Sequence, residues 1–233
     1  MMLAIRIFAS LFCASAVLLC QHAPLLTADQ VADDGSHSFT VTNLSSATLT
    51  GMTVSFQRDL PGGGHESGKR FYDCLINLSQ NPLRTGESYT FHLGGGTADT
   101  APMRVSLEDA IFSDGTTFGD SSAIQSEWDR RLWLVAGFQE VFQHIDSEAN
   151  DQSDKPGLIS LLTRLRGTRL NQTSSREERA SVGAAYDTLI GNLRDGVAGA
   201  TDIISTIRGQ ETQRAKSIQQ QTVPAGIRAQ LSH

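Results

Sequence analysis

Residues 103–120 read M-R-V-S-L-E-D-A-I-F-S-D-G-T-T-F-G-D, and this stretch decides the fold. Before it, β-branched and aromatic residues alternate with polar ones; after it, apolar residues recur at steps of three and four. Met103, Val105 and Leu107 keep the two-residue period, which slips at Glu108-Asp109 and resumes with Ala110, Ile111 and Phe112. A one-residue change in side-chain facing is what a β-bulge or strand bend produces. Ser113-Asp114-Gly115 then reads as a tight turn and Thr116–Phe118 as a short returning strand. Gly119-Asp120 closes it before a helix.

Upstream, Phe39 and Val41 alternate with Thr40 and Thr42, and Asn43–Ser46 reads as a turn. Met52, Val54 and Phe56 follow Leu49 and alternate with Thr53, Ser55 and Gln57. Phe71–Ile76 is apolar on both faces and is expected to be a central strand, and Tyr89, Phe91 and Leu93 make the next. Residues 21–36 read as a polar lead-in ending at an Asp34-Gly35 turn. Short strands over residues 37–120, with no helical period between them, predict an antiparallel Ig-like β-sandwich domain. The Cys…Trp…Cys spacing of true immunoglobulin domains is missing, so the expectation concerns architecture alone.

Downstream, residues 121–220 are expected to form a helical hairpin or small bundle, making the chain α+β. The first helix is placed at Ser122–Ile145, capped by a Ser122/Gln125 box or by Asp120 or Ser121. Ile124, Trp128, Leu132, Val135, Phe138, Phe142 and Ile145 form its apolar stripe. A second helix starts at Asp154 with Pro156 in its first turn and is expected to end at Gly167. The longest opens at Ser174 or Ser175, with Glu177 and Glu178 three residues on. It carries a near-heptad seam of Val182, Tyr186, Leu189, Leu193, Val197, Ala200, Ile204 and Ile207, a surface through which homo-oligomers could assemble. Gly183, Gly191, Gly196 and Gly199 would let another helix approach closely. Residues 210–233 are Gln-rich and are expected to fray, with 221–233 as a flexible tail.

The 233 residues carry a net charge of −6, all of it arising before residue 121. Nothing resembles a polyphosphate-binding surface, so nucleic acid is not expected as a partner. Arg6 is the only charge before Asp29, and Ile7–Cys20 is an apolar run of signal-peptide length, short for a membrane span. Residues 1–28 are therefore read as a signal peptide, which makes the protein extracytoplasmic, either periplasmic or secreted. An uncleaved run would instead leave an N-terminal membrane anchor. A lipoprotein box is disfavoured because Leu19, before Cys20, is not small. Loss of Cys13 and Cys20 with the signal leaves Cys74 as a lone thiol, whereas a Cys20–Cys74 bridge requires Cys20 to be retained.

Chemical motifs are sparse. Gly63–Arg70 matches G-x-x-x-x-G-K, but Arg70 stands where a phosphate-binding loop needs Ser or Thr, and strand-like segments flank it. It reads as a glycine-rich inter-strand loop. Asp109, Asp114 and Asp120 could supply hard oxygen ligands to Ca²⁺, although their spacing fits no dedicated loop. Turn formation and helix capping explain Asp114 and Asp120 without metal. Asp73 and His92 read as solvent-facing, and Arg164, Arg166, Arg169, Arg176 and Arg179 as a face paired with nearby acids. No cofactor is implied.

The run A-I-F-S-D-G-T-T-F-G-D leading into a helix with Arg130-Arg131, together with the early F-T-V-T-N-L-S-S, resembles a pattern in uncharacterised exported bacterial proteins. In those proteins an Ig-like sandwich precedes a helical region. The resemblance spans residues 37–145; it implies fold and export and transfers no active site. The expected function is binding or scaffolding, without catalysis, through a protein or cell-envelope partner. The alternative is an extracytoplasmic hydrolase or carbohydrate-binding module with its site in loops such as 60–70 and 94–101.

Overall fold

The structure, a computed structural model, describes residues 23–27, 30–33, 35–60, 63–93 and 103–227. The apolar N-terminal run with Cys13 and Cys20, the 94–101 loop and residues 228–233 lie outside these. In chain order the strands are β1 (Leu25–Leu26), β2 (Gln30–Val31), β3 (His37–Thr42), β4 (Leu49–Asp59), β5 (His65–Asp73), β6 (Ser88–Leu93), β7 (Arg104–Phe112) and β8 (Thr117–Gly119). The helices follow as α1 (Ser121–Glu148), α2 (Lys155–Gln172), α3 (Arg176–Asp195) and α4 (Ala200–Gln219).

The strands form two antiparallel sheets. In the first, β1 and β2 pair in succession along one edge of β3, and β6 pairs along the other. In the second the order is β5-β4-β7-β8. Alternate residues of both sheets enter one core: Phe39, Val41 and Phe91 from the first, Met52, Val54, Phe56, Tyr72 and Phe112 from the second. Each such side chain, once fully buried, contributes roughly 1.5–3 kcal/mol.

The slip at Glu108 is a bulge. Thr53 pairs with Asp109 while Val54 pairs with Leu107, so Glu108 is the extra residue. Gly119 is opposite Asp109 on β8, with φ of 102°, and its missing side chain leaves room for the Glu108 carbonyl. Asp120 N–H then donates to that carbonyl at 3.2 Å, and α1 begins. Asp120 is the cap: its side chain accepts from Ser122 N–H and Ala123 N–H.

Two cores meet along α1. Its Leu132 and Val135 pack against the β core, while Leu134, Phe138, Val141, Phe142 and Ile145 belong to a helical core with α2, α3 and α4. Gly137 makes the α1–α3 crossing close, since a Cβ there would sit 3.1 Å from both Val182 Cα and Ala185 Cβ. Among the described residues no helix is long and apolar enough to cross a membrane.

Several expectations need correction. β5 is an edge strand rather than a central one: its Asp73 N–H bonds the Gln80 side chain instead of a further strand, and Phe71 is 48% exposed. The segment 63–70 is a loop only at its start, because His65 onward is strand and Gly68 makes room for the Phe56 ring. The polar lead-in contains β1 and β2. α2 runs through Gly167 to Gln172, and the long third helix is broken at Gly196–Gly199 into α3 and α4, leaving Val197 fully exposed outside the seam. The other seam residues are buried in the chain's own helical core. The close approach comes from Gly137, whereas Gly191 faces open space. Residues 210–219 do not fray: Glu211, Arg214 and Ile218 are buried, and Ile218 enters the β core.

Gly119→Ala forces a β-carbon onto the Glu108 carbonyl in a left-handed conformation. We expect a loss of more than about 2 kcal/mol in urea unfolding. A variant as stable as the parent would show that the bulge and β8 do not depend on that glycine.

Candidate functional site

A charge cluster lies where α1 crosses the outer face of the second sheet. Asp73 ends β5, and its Oδ1 accepts from the N–H groups of Leu75 and Ile76 at 2.8 and 3.1 Å, closing the turn that follows. Its Oδ2 accepts from Arg131 Nε at 2.8 Å. Arg131 is fully buried; its Nη2 donates to Thr50 Oγ1 at 3.3 Å, and its guanidinium lies 5.6 Å from the Trp128 ring centroid. Gly51 belongs beneath it, since a Cβ there would collide with Arg131 Nη2. Asp73 is therefore buried, not solvent-facing, and His92 is apart from it in the first sheet, opposite Ser38.

Glu127, four residues before Arg131, is also buried, and Arg130 Nη2 donates to its Oε1 at 2.6 Å. Burial and then the neighbouring Asp73 charge push the Glu127 carboxyl well above the usual range. Burial also works to raise Asp73, but Arg131 and a hydrogen bond from Glu127 outweigh it and hold that carboxyl low. The two environments thus push the carboxyls apart, Glu127 up and Asp73 down. Arg130 extends the cluster outward by lying 4.4 Å over the half-exposed Phe71 ring.

Beyond Phe71 a cleft of about 1000 Å³ opens between the second sheet and the N-terminal turns of α1 and α3. Its sheet wall holds Thr53, Lys69, Phe71, Glu108 and Asp109. Asp120, Ser122, Ser126, Glu127 and Arg130 come from the start of α1, and Arg176 and Glu177 from α3. Lys69 Nζ pairs with Glu108 Oε2 at 2.6 Å. Asp109 differs from these neighbours. The bulge directs it outward beside Thr53, it has no solvent-accessible surface, and neither carboxylate oxygen accepts a well-formed hydrogen bond. Its carboxyl rises from 3.8 to about 6, chiefly through burial, with Thr53 partly opposing and the Glu108 charge reinforcing the shift.

The three calcium candidates occupy different settings. Asp109 lines the cleft, and Asp120 caps α1 at its rim, held below the usual carboxylate range by Ser122 and Ala123. Asp114 lies in the β7–β8 turn, where it accepts from Thr116 N and Oγ1 at 3.0 and 2.6 Å. Among the described residues no three His, Cys, Asp or Glu side chains gather as a metal-ligand set. A second recess of about 610 Å³ is lined by Arg58, Asp59, His65, Glu66 and Arg104, with the ion pairs Arg58–Glu66 and His65–Asp59 across it. The arginines near α2 and α3 are largely paired within the chain, Arg166 with Asp187 and Arg169 with Glu140 and Glu178. Cys74 is a free, buried thiol pushed up to about 12 by desolvation. No protein-family model, curated protein or solved structure matches the chain.

Sequence reading overlooked Glu127 and the role of Arg131, and took Asp73 for solvent-facing. Its available signal was spacing: Glu127 and Arg131 stand four apart on the same helix face as Ile124, Trp128 and Val135.

Because the folded pKa of Asp109 lies above its unfolded value, its contribution is fully present below about pH 4 and is lost as pH rises through about 6. Asp109→Asn removes this dependence. We expect the variant to gain up to about 3 kcal/mol on the parent between acidic and neutral pH, measured by urea unfolding across that range. A constant difference between the two proteins would contradict a buried, unpaired carboxyl.

Proposed function

We propose that this chain is an exported binding or scaffolding protein without catalytic activity, whose Ig-like sandwich and helices together present a ligand cleft to a protein or cell-envelope partner. The observation that carries the reading is the cleft itself, formed jointly by the second sheet and two helix starts and containing one buried carboxyl that accepts no well-formed hydrogen bond. The Ile7–Cys20 run of the sequence supports export. The Ig-like reading draws support from strand order: β1, β2, β3 and β6 share one sheet and β4, β5, β7 and β8 share the other, as in a Greek-key sandwich. The likeness to exported bacterial proteins with a sandwich before a helical region points the same way.

Binding is favoured over catalysis because most of the ionisable groups around the cleft are engaged with other groups of the chain. Lys69 holds Glu108, Arg130 holds Glu127, and Ser122 and Asp120 form the α1 cap. One observation favours the alternative, an extracytoplasmic hydrolase or carbohydrate-binding module. Asp109 and Glu127, both raised by burial, line the same cleft, and a carboxyl raised from its ordinary value toward neutrality is what a general acid requires.

Cross-linking in envelope fractions should recover a specific partner with the parent protein and lose it with Ser126→Trp, which fills the cleft from an exposed helix position. Turnover of a glycan or ester panel that disappears in Asp109→Asn would establish the alternative instead.

A further inference from the structure

We infer that the cleft receives a primary alkylammonium group, with Asp109 as the carboxylate that accepts it and Phe71 as the apolar wall along its methylene stem. The inference rests on the binding reading above and specifies the ligand's chemistry. It begins from which polar groups at the cleft lack partners. Lys69 and Arg130 are each 2.6 Å from a carboxylate oxygen, so their charges are met, although Arg130 Nε keeps no hydrogen-bond partner. The α1 start is closed by Asp120 and the α3 start by Ser175, which accepts from Glu178 N–H. An anionic ligand would have to compete with these bonds. Asp109 is different, since both of its oxygens are buried and neither accepts a well-formed hydrogen bond, Thr53 being the one donor beside it that acts on the carboxyl.

Such a carboxyl calls for a donor. A neutral hydroxyl would satisfy one oxygen and leave the charge uncompensated in a poorly solvated place. A calcium ion takes six to eight oxygens, and among the described residues no three suitable side chains converge. An ammonium group supplies three donors and a full charge, and charge-assisted bonds of this kind are about twice as strong as neutral ones. Phe71 already shows that its ring face accepts a cation, because Arg130 lies 4.4 Å from its centroid. Around Asp109 stand Glu108 and Lys69 from the sheet, Asp120, Glu127 and Arg130 from α1, and Arg176 and Glu177 from α3. With Glu127 set aside because burial raises it, Glu108, Asp109, Asp120 and Glu177 still outnumber Lys69, Arg130 and Arg176, which favours a cation. The Asp109 oxygens lie below the open surface, so admission requires a wall side chain to swing; Lys69, half exposed and long, is suited to do so.

Two probes separate the sources of such a group in calorimetric titrations of the full chain: 1,5-diaminopentane for a free amine, and Nα-acetyl-lysine methylamide for a lysine side chain. At least one should bind, with Asp109→Asn weaker by about ten- to a hundred-fold. Binding near the Asp109 midpoint should release a proton, seen as heats that differ between buffers of different ionisation enthalpy. Ser126→Trp, which leaves Asp109 in place, should block binding as well. Equal affinity in Asp109→Asn, or no heat from either probe with folded parent protein, would overturn the inference. Partner capture without amine binding would remove this inference alone, whereas amine binding without any partner would remove the scaffolding reading.

Discussion

The buried ion pair between Arg131 and Asp73 is the constraint on which the arrangement depends. A guanidinium with no solvent contact is costly unless its charge is met, and here the charge is met although Nη1 keeps no hydrogen-bond partner. Asp73 meets the charge, Thr50 takes a second donor, and Trp128 covers the plane. Asp73 is fixed in turn by the backbone of the turn after β5, and Thr50 by its bond to the Ile111 carbonyl at 3.1 Å. One arginine on α1 thus ties together β4, β5 and β7. The orientation of the helix on the sheet follows from it, and so does the gap that becomes the cleft. Gly51 is the complementary requirement, an empty position under the guanidinium.

The cleft is the margin of that junction. α1 covers the sheet where Gly51, Asp73 and Ile111 lie and leaves Thr53, Phe71 and Asp109 at its edge. The bulge at Glu108 matters for the same reason. By inserting one residue it places Glu108 to pair with Lys69 while Asp109 stays beside Thr53, so two adjacent acids have opposite fates. One is a partly exposed ion pair; the other is a sealed carboxyl with unused hydrogen-bonding capacity.

Much of this architecture was legible in the residues. The slip at Glu108-Asp109, the Ser113-Asp114-Gly115 turn and the cap at Asp120 all follow from local rules of alternation and turn chemistry, and all three occur. What local rules cannot carry is the identity of the neighbour. Phe71 reads as core because it is apolar, yet it is an edge residue shielded by Arg130. Asp73 reads as solvent-facing because it is charged, yet a residue far along the chain neutralises it. The Val197 position fits a heptad, but two nearby glycines and the packing of Ile203 against Gly196 favour a break over a continuous helix. In each case a long-range contact overrides a local preference.

The most direct test of the account is a double-mutant cycle between Asp73→Asn and Arg131→Met, followed by urea unfolding with Trp fluorescence and circular dichroism. Removing either partner alone should cost about 3–5 kcal/mol, and the pair should show a coupling energy above about 1 kcal/mol. Additivity within about 0.5 kcal/mol would contradict the claim that this ion pair joins the sheet to the helices.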